Sequence, residues 1–115
     1  MTRLKSIPQA SREAVAKRSK GVCEGCGLAP AVEVHHRRYR SRGGGHEVSN
    51  LLHLCGSGNH TGCHGTAHSL QGEMWGWSIR SGVTAPGRFR LLYRGVVVVL
   101  TDDGAKEEVK VSGHD

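Results

Sequence analysis

The sequence is poor in the side chains that usually hold a small protein together. Of 115 residues only five are aromatic (Tyr39, Trp75, Trp77, Phe89 and Tyr93), and only three are proline. A chain of this length makes one domain and buries roughly 60–70% of its unfolded surface, so its stability margin is thin without another source of cohesion. Long apolar runs are missing too. The longest, Val96 to Leu100, has five residues against the ~20 that a membrane-spanning helix needs, which excludes that class of membrane protein. The opening MTRLKSIPQA has no apolar h-region, which argues against a secretory leader and predicts a cytoplasmic protein. Disulfides are disfavoured in that compartment.

An excess of acid is also absent. The net charge is +6, and residues 1–50 carry all of it, with ten Lys/Arg against four Asp/Glu; residues 51–115 balance at six against six. So lopsided a distribution predicts an oriented basic face and a polyanionic partner.

What the sequence does hold is four cysteines, eight histidines and seventeen glycines. With few large apolar groups and no disulfides, the cysteines read as metal thiolates that staple the fold. Cys23-Glu-Gly-Cys26 has the spacing of two ligands on one knuckle. Cys55 and Cys63 complete a tetrahedral set, although the long gap between them leaves His53 or His60 as an alternative to one thiolate.

The local signals order the rest of the chain. Ser6-Ile-Pro-Gln9 reads as a capping box with Pro8 in the first turn, and apolar spacing predicts a helix over about 7–19, stopped by Gly21. Ala31 to His36 reads as a short strand and Leu51 to Leu54 as a second. The polar loop between them, residues 37–49, contains RRYRSR and three consecutive glycines. A helix over about 61–70 is weakened by Gly62 and Gly65, each costing ~1 kcal/mol against Ala. Beyond Gln71, strands at 88–93 and 96–101 flank an Arg94-Gly95 turn, and Asp102-Asp103-Gly104 turns into a third, weak strand ending near Val111.

His64 and His68 stand at i and i+4, so a helix puts both on one face, able to grip one ion. Cys63 is rotated ~100° from His64, so one short helix can send the two to different sites. His35 and His36 end the first strand; strict alternation points them to opposite faces, and both reach one site only if the chain bends there, a bend that the entry into the Arg/Gly loop favours. Asn50 by itself reads as a turn residue. Arg37, Arg38, Arg40 and Arg42 read as phosphate contacts, which position a duplex without reading its sequence. Tyr39 stacks or packs, and the sequence does not choose.

Taken in order, the run VHHRRYRSRGGGHEVSNLLHLCGSGNHTGCHGTAH resembles the signature of the HNH nucleases, especially their small phage and actinobacterial forms. The resemblance covers about residues 21–70. It implies an α+β protein: a ββα-metal (His-Me) finger with treble-clef-like structural zinc, preceded by the N-terminal helix and followed by the β-hairpin. Residues 1–72 would form the nuclease core, and residues 73–115 an extension packed into the same domain. It also implies roles. His36 is the general base, and Asn50 pins the loop that orients it. His35, His64 and His68 hold a catalytic divalent cation (Zn, Mn, Ni, Co or Mg), and Cys23, Cys26, Cys55 and Cys63 hold structural Zn2+. The implied partner is DNA, cleaved to 5′-phosphate and 3′-hydroxyl ends, with terminase as a further partner if the role is phage packaging; no small-molecule cofactor is implied. Two competing readings are a DNA-binding zinc module without catalysis and a degenerate HNH domain kept as an assembly partner. A two-Cys, two-His finger does not fit, because only eight residues separate Cys26 from His35.

Overall fold

The computed structural model describes residues 6–58, 60–80, 82 and 84–110. The order is helix α1 (Gln9–Ser19), strands β1 (Glu33–His36) and β2 (Leu51–Leu54), helices α2 (Gly62–Ala67) and α3 (Leu70–Met74), then strands β3 (Leu91–Tyr93), β4 (Val96–Leu100) and β5 (Lys106–Glu108). The mixed α+β class agrees with the reading of the sequence. β1 and β2 pair antiparallel, with His35 opposite Leu52 and His36 opposite Leu51. β3, β4 and β5 form a separate antiparallel sheet.

α1 opens differently from the capping-box expectation. Pro8 is the N-cap, no side chain caps the helix, and Arg12 N–H bonds to the Pro8 carbonyl. At the other end the left-handed cap falls on Lys20, one residue before Gly21. The helix expected over 61–70 is shorter: α2 ends at Ala67 with His68 as its C-cap, and Ser69 starts a new one by accepting a hydrogen bond from Gly72 N–H. The two glycines that weaken α2 are required by its neighbours. A Cβ on Gly65 would come within 2.8 Å of the His60 carbonyl carbon, and one on Gly62 within 2.6 Å of Gly56 Cα. The Arg94-Gly95 turn is as expected, with φ of 51° and 88°, the left-handed pair a tight hairpin turn requires. β5 is described only as Lys106–Glu108, and Val111 lies outside the described residues.

The main apolar cluster draws from both halves of the chain. Cys23, Leu52, Leu54 and Ala67 pack with Trp77, Leu91, Tyr93, Val98 and Leu100. A smaller cluster of Val15, Val48 and Leu51 seats α1 on β2. Between them lies a buried polar network. The Arg18 guanidinium holds the Glu24 carboxylate at 2.6 and 2.9 Å and donates to the Val48 and Leu51 carbonyls. Glu24 also accepts from Tyr93 Oη at 2.7 Å and from His53 N–H at 2.9 Å. Burial, then the Glu24 charge, pushes the Tyr93 phenol well above its ordinary value, so it stays a donor. One carboxylate thereby ties α1, the knuckle, β2 and β3 together.

Candidate active site

The knuckle is built by backbone geometry. Val22 and Pro30 form an antiparallel bridge, Cys23 N–H bonds to the Ala29 carbonyl, and Gly27 turns at φ 71°. Cys55 and Cys63 arrive from the end of β2 and the start of α2. The long gap between them is folded back on itself: a Cβ on Gly56 would lie 2.0 Å from the Thr61 carbonyl oxygen, and His64 N–H bonds to the Cys55 carbonyl at 2.9 Å.

The four sulfurs of Cys23, Cys26, Cys55 and Cys63 lie within 4.8 Å of one another. A zinc at ~2.3 Å from each of four tetrahedral sulfurs sets them about 3.8 Å apart, so this set is of the right size. Backbone N–H groups of Gly25, Leu28, Cys55 and Cys63 point at these sulfurs at 3.3–3.4 Å, which favours thiolates. Burial works against ionisation at Cys23, but the backbone N–H groups around it outweigh that and bring its pKa to about 7. Cys63 is pushed far up, first by burial and then by the Cys23 charge, and Cys55 is raised by burial. A cluster in which one thiolate suppresses the next is a site for a compensating cation. His60 is exposed, and His53 Nδ1 bonds to Ser19 Oγ at 2.8 Å; the set is therefore four cysteines, and neither histidine joins it.

The second donor set is His35, His64 and His68, whose ligand atoms also lie within 4.8 Å of one another. Each ring has one nitrogen tied to an outer partner. His35 Nε2 meets the Trp77 carbonyl at 2.8 Å, His64 Nδ1 meets Glu33 Oε1 at 2.8 Å, and His68 Nδ1 meets Tyr39 Oη at 3.1 Å. A carbonyl and a carboxylate only accept, so His35 and His64 donate there and turn their other nitrogen, with its lone pair, toward the cluster. This is the outer arrangement that metal-binding imidazoles use. Burial, followed by His64 and His68, draws the His35 pKa down to about 3. Burial likewise lowers His68, and Gly58 N–H, then His64, lowers the Glu33 carboxyl. Neutral His35 and His68 rings and an ionised Glu33 carboxylate are the forms that a cation requires.

His36 is not part of this cluster. Strand alternation holds to the end of β1, so His35 sits 5.0 and 5.2 Å, ring to ring, from His64 and His68, whereas His36 lies 5.2 Å from His46 in the loop. Its Nε2 is 3.1 Å from His46 Nδ1. Burial, then His46 and Arg40, takes its pKa down to about 4, which leaves a neutral imidazole at physiological pH. Asn50 closes the loop between the strands. Its Oδ1 accepts from Arg38 N–H at 2.8 Å, and its Nδ2 donates to the Arg38 and Gly45 carbonyls at 3.1 Å each. Gly44 permits the closure, since a Cβ there would lie 1.7 Å from the Arg38 carbonyl oxygen.

The four arginines after His36 divide into two pairs, and the phosphate-contact reading is corrected for the first. Arg37 is 0% exposed. Its guanidinium donates to the carbonyls of Gly76, Ser49, Pro86 and Phe89 at 2.8–3.2 Å. Burial, then Arg18 and Arg38, lowers its pKa to about 9, which leaves it charged. Arg38 is also buried and donates to the Arg80 and Thr84 carbonyls. Only Arg40 and Arg42 face solvent; Arg40 touches His46 Nε2 at 3.0 Å, and Arg42 lies 4.7 Å over the Tyr39 ring.

Several of these contacts were beyond the sequence reading. Glu33 had a usable signal, because a residue two before His35 shares its strand face. The Trp77 carbonyl had none, and neither did His46.

A soft tetrathiolate set beside a three-imidazole set defines a protein with two candidate metal sites, one suited to bracing a fold and one with room for further ligands. Residues 23–70 match the family model of the HNH endonuclease, from the first knuckle cysteine to just past His68; that segment is of the HNH endonuclease family, which points to nuclease activity. No curated protein and no solved structure matches the chain. Among the described residues, no helix is long and apolar enough to cross a membrane.

Proposed function

We propose that this protein is a metal-dependent endonuclease that hydrolyses DNA phosphodiester bonds on a ββα-metal finger, β1–β2–α2, braced by zinc on Cys23, Cys26, Cys55 and Cys63 in a treble-clef-like arrangement. The observation that carries the reading is the convergence of three outward-anchored imidazoles, His35, His64 and His68, on the strand that His36 ends and the loop that Asn50 closes.

A divalent cation on those imidazoles would supply positive charge for the phosphorane and the departing 3′ oxygen. His36 takes the proton of the attacking water; the water oxygen bonds to phosphorus, the bond from phosphorus to the 3′ oxygen breaks, and that oxygen is protonated from solvent. Asn50 holds the loop that carries His46 against His36. Arg40 and Arg42 meet neighbouring phosphates. The turn of His36 toward His46 is the one observation that favours a DNA-binding module without catalysis.

The two readings separate on supercoiled plasmid incubated with the zinc-loaded protein and a panel of Mg, Mn, Co, Ni and Zn. Nicked or linear product with at least one cation, together with a second binding event by calorimetry, is the expected result. DNA binding and a second metal without any cutting would favour the module.

A further inference from the structure

The contact of His36 with His46 has a polarity that elementary chemistry fixes. Arginine has donors and no acceptor, so across the 3.0 Å contact Arg40 Nη1 donates to His46 Nε2. With its lone pair engaged there, neutral His46 carries its proton on Nδ1. That Nδ1 lies 3.1 Å from His36 Nε2, so it donates, and His36 is left with a lone pair on Nε2 and a proton on Nδ1. An unconstrained histidine ring favours the other tautomer, with the proton on Nε2.

We propose that Arg40 and His46 are positioning residues which, through this two-bond relay, set the tautomer and ring orientation of His36. The proposal rests on the reading of His36 as the base. Its Nε2 is then the nitrogen that takes the water's proton. Before substrate arrives, the His46 N–H occupies the place that a water O–H takes during the reaction. The exchange replaces one donor by another at the same lone pair, so tautomer and orientation persist. Placement supports this: Asn50 anchors the loop at the Gly45 carbonyl and Ser11 Oγ donates to the His46 carbonyl at 3.1 Å, so the backbone that carries the His46 ring is held in place. Arg40, exposed at the rim, connects the relay to the surface where phosphates approach.

Two measurements test it. The first is long-range 1H–15N correlation on the full, zinc-loaded chain, which reads each histidine tautomer without catalysis. His36 is expected to be protonated on Nδ1 in the unmodified protein and to shift toward the Nε2–H form in His46→Ala and Arg40→Ala. His46→Gln keeps an amide donor and acceptor and should retain the native tautomer. An Nε2–H His36 in the unmodified protein, or a tautomer indifferent to His46→Ala, would overturn the relay. The second is single-turnover cleavage at saturating DNA and cation. His46→Ala should lose on the order of tenfold in kcat at unchanged DNA affinity, less than the ~10²–10⁴ of the base itself, and His46→Gln should recover most of it. Equal losses in both variants, or a loss confined to affinity, contradict the proposal. Absence of cleavage by the unmodified protein would overturn the nuclease reading instead, and the tautomer measurement would still judge the relay by itself.

Discussion

Residues 23–70 hold both donor sets, whereas residues 73–110 contribute no metal-donor side chain to either. Yet the second region holds the first in place. It does so largely with backbone carbonyls: that of Trp77 anchors His35, and those of Gly76, Pro86 and Phe89 surround Arg37. Side chains add to this. Tyr93 Oη caps Glu24, Arg94 donates to the carbonyls of Ser19, Val22 and Cys23 under the knuckle, and Asp102 accepts from both N–H and Oγ of Ser49, next to Asn50. Reactive groups and the framework that aims them thus lie in different stretches of the chain, and the family model matches the first of them.

The largest effect is expected where the first region supplies its own cohesion. Structural zinc in small finger peptides contributes an apparent ~10–16 kcal/mol, more than a domain of this size usually has in reserve. Cys23→Ser or Cys63→Ser should therefore give an unfolded or aggregating product, read by circular dichroism and metal content. Cys55→Ser should behave the same way, since the structure gives it no histidine substitute. A folded, reduced protein without zinc would break the comparison at its base.

The next effect tests whether the second region is a framework. Arg37→Ala removes the donor from four carbonyls in a buried setting, and each unpaired buried acceptor costs about 1–3 kcal/mol. A loss of roughly 3 kcal/mol or more is expected, measured as a lowered Tm with the zinc still bound. Arg37→Lys should also destabilise, because an ammonium lacks the planar fork that reaches four acceptors. A stable Arg37→Ala protein with weakened DNA binding would restore Arg37 to the surface. Tyr93→Phe sharpens the same point, with an expected cost of about 1–2 kcal/mol for the lost bond to buried Glu24.

The smallest effect belongs to the exposed arginine. Arg42→Ala should leave Tm unchanged and weaken binding to unrelated DNA sequences alike, flattening the log K against log salt slope by about one unit. An unchanged slope would place Arg42 away from the DNA.

What could be read from the sequence follows the same division. Cys23-x2-Cys26, the His64/His68 spacing and strand β2 are local patterns of side-chain type, and local patterns are what a sequence displays. The sequence reading misassigned Arg37 and Arg38, because a run of arginines looks alike whether it meets phosphate or carbonyl. Apart from Ser49, 12 residues on, the partners of their guanidinium groups lie 39 to 52 residues away, and all belong to the backbone, which every residue has. The long Cys55–Cys63 gap was ambiguous for a related reason: the glycines that fold it back act through the absence of a side chain. At His35-His36 the entry into the Arg/Gly loop suggested a bend that would bring both rings to one site, and the structure keeps to alternation instead. That is why His36 meets His46 rather than the triad.

The central claim is a division of labour between a base and its neighbouring ligands, and single-turnover DNA cleavage by His36→Ala and His64→Ala, with cation binding measured on each variant, tests it directly. His36→Ala should fold, keep its zinc, bind the second cation and DNA, and lose ~10²–10⁴ in rate, whereas His64→Ala should lose the second cation and regain part of its activity at high metal concentration. Cleavage by His36→Ala at the rate of the unmodified protein would contradict the account.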